Sequence, residues 1–322
     1  MTELDLLYTD VEEDLRASVR DLLRASCDPR SVTAMYDGDR SLPGRLWRSV
    51  SVDLGLAGLL VPEEQGGQGA SAREAAVVLE ELGRAVAPVP FLTSAVMATM
   101  LLLESGSRLV AELAAGERTA ALVVPWSTAP DGDLPGVRLE GDRISGVVTS
   151  VAGALEADTL LVPVTGPSGR SVYTVPASAA SVTPVVSLDM SRQLADVRLD
   201  VRLDAGHDAG HDAGHDVSAE LALAEAEPAL RHALRTGAAL LASEQLGVAR
   251  WCLETTVAYL KERRQFGRVV GGFQSLKHRL ADLYTGVESA AAAARYAAAT
   301  LAAGDPDAAV AASLAKAYCS EL

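Results

Sequence analysis

Tyr259-Leu260-Lys261-Glu262-Arg263-Arg264-Gln265-Phe266-Gly267-Arg268 runs directly into Val269-Val270-Gly271-Gly272-Phe273-Gln274-Ser275-Leu276-Lys277. From Lys261 to Arg279 there are six lysines or arginines and a single acid, Glu262, in a chain of 322 residues with a formal net charge of −15. Such a local reversal of sign needs a cause. Leu234, Leu241 and Val248 recur at sevens before the stretch, and Phe273, Leu276, Leu280, Leu283 and Val287 step by three and four after it. Two helices are therefore expected to meet at a basic turn opened by Gly267 and Gly271-Gly272. Guanidinium groups fork onto phosphate oxygens and glycines admit a close backbone approach, so such a corner suits an anionic cofactor. The plainer reading is a solvated corner between two helices.

The order of residue types goes further than charge. Glu-Arg-Arg-Gln-Phe-Gly at 262–267, followed by Phe-Gln-Ser-Leu-Lys-His-Arg-Leu-Ala-Asp at 273–282, resembles the signature of acyl-CoA dehydrogenases where a subunit meets the flavin of its neighbour. The resemblance implies that Arg263 contacts the pyrophosphate of FAD, that Gln274 contacts its adenosine side, and that Gln265 and Phe266 line the same surface. Leu54-Gly55-Leu56-Ala57-Gly58-Leu59-Leu60-Val61-Pro62-Glu63-Glu64-Gln65-Gly66-Gly67-Gln68-Gly69 and Glu80-Glu81-Leu82-Gly83 also resemble that family's usage. Read without the resemblance, the glycines of 54–69 make a compact loop rather than a phosphate cradle, because no Lys-Ser/Thr follows them.

Working outward, about half of the residues are apolar (49%) and only 4% are aromatic, which favours close-packed helices in a globular chain. The acidic balance argues against nucleic acid or an anionic membrane as partner. No apolar run is long enough for a membrane span, and Met1-Thr2-Glu3-Leu4-Asp5 lacks the basic flank of an export signal, so a cytoplasmic location is expected. Cys27, Cys252 and Cys319 are too scattered for a ligand set and read as small buried hydrophobes.

A helical section is expected over 1–118. Thr9 opens its first helix, Pro43 a second, Ser71-x-x-Glu74 is a capping box, and 93–103 and 107–115 carry apolar helices. Glu80 and Glu81 read as a solvated face. A β section follows over 119–222, with strand-like runs at 121–124, 143–148, 159–164, 171–175, 182–186 and 196–203 that suggest a small antiparallel barrel or sandwich. Residues 205–216 spell Ala-Gly-His-Asp three times; the glycines argue against a helix that would stack His207, His211 and His215, so a mobile loop and no metal site are expected. A helical section over 223–322 ends the chain. Helix, then β, then helix is the acyl-CoA dehydrogenase layout, an α+β multi-domain fold, with the C-terminal bundle shorter than is usual there.

The resemblance also marks what is missing. Dehydrogenation of an acyl-CoA needs a carboxylate to remove the α-proton. In most of the family that Glu falls in helices beyond Leu322, and in others 26 residues before the position of Arg263, which here is Gly237. No catalytic residue is therefore assigned, and Glu244 is not promoted to one. The Thr-Glu-Pro-x-x-Gly-Ser loop that covers the flavin ring is replaced by Val124-Pro125-Trp126-Ser127-Thr128-Ala129-Pro130-Asp131-Gly132, and Ser150 and Ala152 stand where Trp and Thr are usual. The expectation is a half-site subunit of a heteromeric α2β2 acyl-CoA dehydrogenase that shares FAD and an acyl-CoA substrate with a second subunit. Assemblies of that kind resemble actinobacterial enzymes that shorten steroid side chains. A homotetramer lacking its C-terminal catalytic segment, or a flavin-free acyl-binding scaffold, are the alternatives.

Overall fold

The computed structural model describes residues 4–103, 105–166, 169–203 and 219–322; the Ala-Gly-His-Asp repeat lies outside them. In chain order the helices are α1 (Asp10–Ser26), α2 (Pro29–Ala34), α3 (Ser41–Arg48), α4 (Ala72–Ala85), α5 (Thr99–Leu102) and α6 (Leu109–Ala114). Strands β1 (Ala120–Leu122), β2 (Arg138–Glu140), β3 (Arg143–Ala152), β4 (Thr159–Gly166), β5 (Gly169–Pro176), β6 (Ser181–Val185), β7 (Leu194–Arg202) and β8 (Glu220–Leu223) follow. The long α7 (Glu227–Glu262) leads to the two-residue strands β9 (Arg264–Gln265) and β10 (Arg268–Val269), then α8 (Gln274–Ala302) and α9 (Ala308–Glu321). The described residues form two compact units that cut across the three sections of the sequence.

One unit gathers the chain up to Pro29, Ser71–Ala87 and Ala238–Leu322. Its N-terminal helices start where their caps dictate. The Thr9 hydroxyl accepts from the Glu12 amide at 3.2 Å and the Glu12 carboxylate receives the Thr9 amide at 2.6 Å; Ser71 and Glu74 repeat the device at α4. Glu80 and Glu81 are not a solvated face: they are 4% and 2% exposed. Arg16 of α1 lies 3.2 Å from both carboxylates, Arg20 reaches Glu81 at 2.6 Å, Arg250 of α7 pairs with Glu80, and the Tyr8 hydroxyl donates to Glu80 at 3.2 Å. Burying such charges is tolerable only because each meets an opposite one. The partners lie roughly 60 to 170 residues away in sequence, so α4 alone gives no sign of them.

Helices α4 and α7 approach through glycine. A Cβ on Gly83 would stand 2.0 Å from the Glu244 carbonyl oxygen, and one on Gly247 would stand 1.9 Å from that of Glu80. Further along, alanines 239, 242, 290, 291, 294 and 297 pack α7 against α8, and Ala311, Ala312 and Ala315 bring in α9. Small side chains therefore hold this bundle together, as the composition implied. Cys252 departs from expectation, being exposed: the apolar side of α7 on which it sits, with Val248 and Trp251, has no covering element among the described residues.

The other unit comprises 30–70 and 88–237. All six expected strand runs are present, with β2 and β8 in addition. The sheet runs β6-β7-β3-β2-β4-β5-β8, and β1 pairs with β4. It is mixed rather than antiparallel throughout, since β1 and β2 both lie parallel to β4. Along β7, Ala195, Val197, Leu199 and Val201 face the core while Arg198, Asp200 and Arg202 face away, the two-residue period that a half-buried strand requires. Central β4 is buried on both faces from Thr159 to Val164, which accounts for its unbroken apolar run. The glycines of 54–69 fold the loop on itself: a Cβ at Gly67 would fall 2.0 Å from the Val61 carbonyl oxygen, an internal contact with no room for phosphate. Gly237 packs its bare Cα side against Met97, whose side chain would be 2.8 Å from a Cβ there.

Candidate functional site

The basic corner is a two-residue β-hairpin set between two long helices. Gln265 pairs with Arg268 and Arg264 with Val269, and the two residues between them, Phe266 and Gly267, have φ of 51° and 73°. Two consecutive left-handed residues are what a tight hairpin of matching twist demands. Glycine adopts that conformation freely; a phenylalanine does so rarely and at a cost of about 1–3 kcal/mol. The strain is concentrated at a residue that the sequence singled out, and it holds the Phe266 ring out of the fold, 89% exposed.

Around this tip the side chains are ordered by one another. The Phe266 ring meets the edge of Phe273 at 6.1 Å between centroids, and the Arg268 guanidinium sits 3.9 Å over the Phe273 ring. Gln274 and His278, one helical turn apart on α8, are joined at 2.7 Å through Nε2 atoms. Main-chain bonds fix the base of the corner: the Arg263 amide donates to Tyr259 O at 2.9 Å, and Val270 N–H donates to Arg263 O at 2.8 Å. Gly271 is needed because a Cβ there would lie 2.8 Å from the Leu260 carbonyl oxygen. Arg263, Gln265, Phe266 and Gln274 are thus brought to one exposed corner, and no ion pair among the described residues involves Arg263, Arg264 or Arg268. Exposed guanidiniums that make no ion pair, with side-chain amides beside them, suit the oxygens of a pyrophosphate. Flanking helix surfaces on α7 and α8 expose Val248, Trp251, Tyr259, Leu283 and Tyr284, more apolar area than a helix face normally leaves wet.

The segment that replaces the ring-covering loop is occupied by the chain's own contacts. Trp126 N–H donates to Ser150 O at 2.9 Å, and the Arg192 guanidinium lies 5.0 Å over the Trp126 ring. Arg231 at the start of α7 donates to the carbonyls of Pro130 and Gly132 at 3.1 and 2.6 Å. Ser150 adopts φ of 56° at an irregularity of β3, its amide held by Asp196 at 3.0 Å. No carboxylate projects from Gly237, and the Glu244 backbone is engaged at the α4–α7 crossing. Among the described residues no group of three or more His, Cys, Asp or Glu could hold a metal ion, and no helix is long and apolar enough to cross a membrane.

Sequence reasoning passed over Glu156, in the turn after β3. Burial pushes its carboxyl up to about 7, its own backbone hydrogen bond and the Arg40 and Arg192 charges only partly opposing this. The folded state therefore keeps the proton to higher pH than the unfolded chain, whose value is near 4.5. The stability this contributes is complete below the unfolded value and disappears as pH climbs through about 7. The melting temperature should fall between about pH 5 and pH 8, by the equivalent of about 1–2 kcal/mol for a carboxyl in partial contact with water. Differential scanning fluorimetry across that range checks it: Glu156→Gln should flatten the slope, and an equal slope in both proteins would refute the assignment.

Residues 9–112 match the family model of the acyl-CoA dehydrogenase N-terminal domain, and residues 228–322 that of the acyl-CoA dehydrogenase C-terminal domain. The chain is 33% identical over 280 residues to acyl-CoA dehydrogenase IpdE2 of Mycobacterium tuberculosis, covering 86% of this chain and 72% of that protein. It is 33% identical over 293 residues to FadE34 of the same organism, covering 89% of this chain and 37% of that longer protein. Among solved structures, the ChsE4-ChsE5 complex from M. tuberculosis superposes with a TM-score of 0.82 at 25% identity, over 99% of this chain and 84% of the other. The Tcur3481-Tcur3483 steroid ACAD gives 0.78 at 29% identity, over 96% and 82%.

Proposed function

Since this chain belongs to the acyl-CoA dehydrogenase family, we propose that it is one subunit of a mixed acyl-CoA dehydrogenase, lending its basic corner to an FAD site completed by a second, catalytic subunit. What supports this reading is a contrast within one chain: the corner between α7 and α8 exposes arginines that make no ion pair among the described residues, while the position for the base holds Gly237 and the ring-covering segment is filled by Trp126 and Arg192. FAD, when bound, would supply the acceptor for the hydride leaving the acyl β-carbon. This chain's own residues would bind and orient it: Arg263 on the pyrophosphate, Gln274 on the adenosine side with His278 holding its amide, and Gln265 and Phe266 along the same surface. In a protein of net charge −15 the local cations matter, because they alone make that surface hospitable to an anion.

The bare flanks of α7 and α8 support a protein partner, as does the superposition on a two-component complex. A bulky acyl group such as a steroid side chain on coenzyme A is the substrate class this reading favours, since the Tcur3481-Tcur3483 neighbour, at 29% identity, is a steroid ACAD. The test is the visible spectrum of purified protein. Expressed alone, the chain should carry no flavin band; co-expressed with a dehydrogenase subunit that has the carboxylate base, it should co-purify with flavin and turn over an acyl-CoA with a dye acceptor. Flavin and turnover by the single chain would overturn the shared-site reading in favour of a self-sufficient enzyme, and absence of flavin from every mixture would overturn it altogether.

A further inference from the structure

The two carboxamides of the basic corner spend N–H groups on the chain itself. Gln265 Nε2 donates to the Arg264 carbonyl at 2.9 Å, and because a carbonyl oxygen can only accept, the orientation of that amide is fixed. Gln274 Nε2 lies 2.7 Å from His278 Nε2. An amide nitrogen donates and does not accept, so His278 is the acceptor there and carries its ring proton on Nδ1. Neither glutamine's Oε1 takes part in a hydrogen bond among the described residues, and both side chains stand at exposed positions.

The corner therefore has two chemical halves. Arg263, Arg264 and Arg268 offer donors alone, which suits phosphate oxygens. Gln265 and Gln274 each keep one N–H and add what no guanidinium has, a free acceptor. The halves adjoin: Gln265 stands directly across the hairpin from Arg268, and Arg268 leans over Phe273, the residue before Gln274. A ligand that satisfies both halves carries hydrogen-bond donors beside its phosphates. We propose that Gln265 and Gln274 select the adenosine end of FAD by accepting from its donors, the 6-amino group of the base or the ribose hydroxyls, and that His278 is the positioning residue that turns the Gln274 oxygen outward. This rests on the shared-FAD reading and goes beyond it, giving the reason that a dinucleotide with adenosine is taken rather than any organic pyrophosphate. With the Gln274 amide turned the other way, the corner would present N–H groups there and suit a keto purine.

Two measurements test this. Nitrogen NMR of the isotope-labelled full-length chain, at about pH 8 where free imidazole is uncharged, should show His278 protonated at Nδ1, its signals assigned by their loss in His278→Phe. A ring protonated at Nε2 would overturn the role given to His278. The second measurement uses the mixed complex, stripped of flavin and reloaded with FAD, with its 6-oxopurine analogue or with its 2′,3′-dideoxyribose analogue. One analogue or both should bind about threefold to tenfold more weakly than FAD, the loss of a hydrogen bond between neutral groups, and which one does so tells amine from hydroxyl. His278→Gln, which still accepts, should keep the preference. His278→Lys can only donate and draws the Gln274 oxygen inward, so it should reduce the preference for FAD over the weaker analogue, a ratio that a merely structural contact would not move. Where FAD is held and Arg263→Ala releases it, equal binding of FAD and both analogues would leave the shared site standing and overturn this selection. Absence of FAD from every complex would overturn both.

Discussion

Replacing Gly247 by alanine is expected to cost the chain about 3 kcal/mol of stability, a large part of the margin that holds a typical domain folded. The sign is the opposite of what helix propensity gives, since alanine in a helix interior is ordinarily favoured over glycine by about 1 kcal/mol. Here the added methyl group would sit 1.9 Å from Glu80 O, 2.8 Å from Arg84 N and 2.9 Å from Glu80 C. All three are main-chain atoms of α4, so no rotamer change relieves the overlap and the helices must part. Parting them also pulls Arg250 away from Glu80, a carboxylate only 4% exposed that would lose a partner. Gly286→Ala is the control: its Cβ meets only the Leu322 Cδ1 at 2.7 Å, the end of a flexible side chain, and should be neutral or stabilising. Urea unfolding followed by circular dichroism reads both; a Gly247→Ala protein as stable as its parent would show that the crossing is loose.

Much of the fold was legible because its determinants are local. Thr9 with Glu12 and Ser71 with Glu74 announce helix starts within four residues, and the Val-Leu alternation of β7 announces a strand with one face in the core. What escaped the sequence was non-local. Nothing in Glu80-Glu81 says that Arg16, Arg20 and Arg250 will close on them, and an acid pair in an amphipathic helix otherwise belongs in water. The same holds for β2, whose Arg138-Leu139-Glu140 is too short to carry a period and is a strand only because β3 and β4 flank it. Cys252 misled for the complementary reason: an apolar helical side predicts burial only if something covers it.

The site divides along the same line. Arg263, Gln265, Phe266 and Gln274 lie within twelve residues of chain, so residue order alone grouped them, and the structure adds the left-handed Phe266 and the Phe273–Arg268 stack that order could not show. Glu156 gave no such sign. Burial raises its proton affinity, and the residues around the carboxyl are spread along the chain from Trp47 to Gln193.

Arg263→Ala should leave the fold intact and strip flavin from the mixed complex. The corner's backbone is held by Arg263 N–H to Tyr259 O and Val270 N–H to Arg263 O, bonds that any side chain permits, and the guanidinium is exposed. Its removal should therefore change stability by no more than about 0.5 kcal/mol. On the pyrophosphate the loss is larger, because a hydrogen bond to a charged group contributes about 1.5–3 kcal/mol, which corresponds to roughly ten- to a hundredfold weaker retention of FAD. Arg263→Lys keeps the charge but not the planar fork and should fall between the two. Flavin retained after dialysis, measured against protein for each co-purified complex, gives the order parent, lysine, alanine if the guanidinium grips phosphate. Equal retention in all three, with melting temperatures unchanged, would mean that the pyrophosphate is held elsewhere and that this corner serves the subunit contact alone.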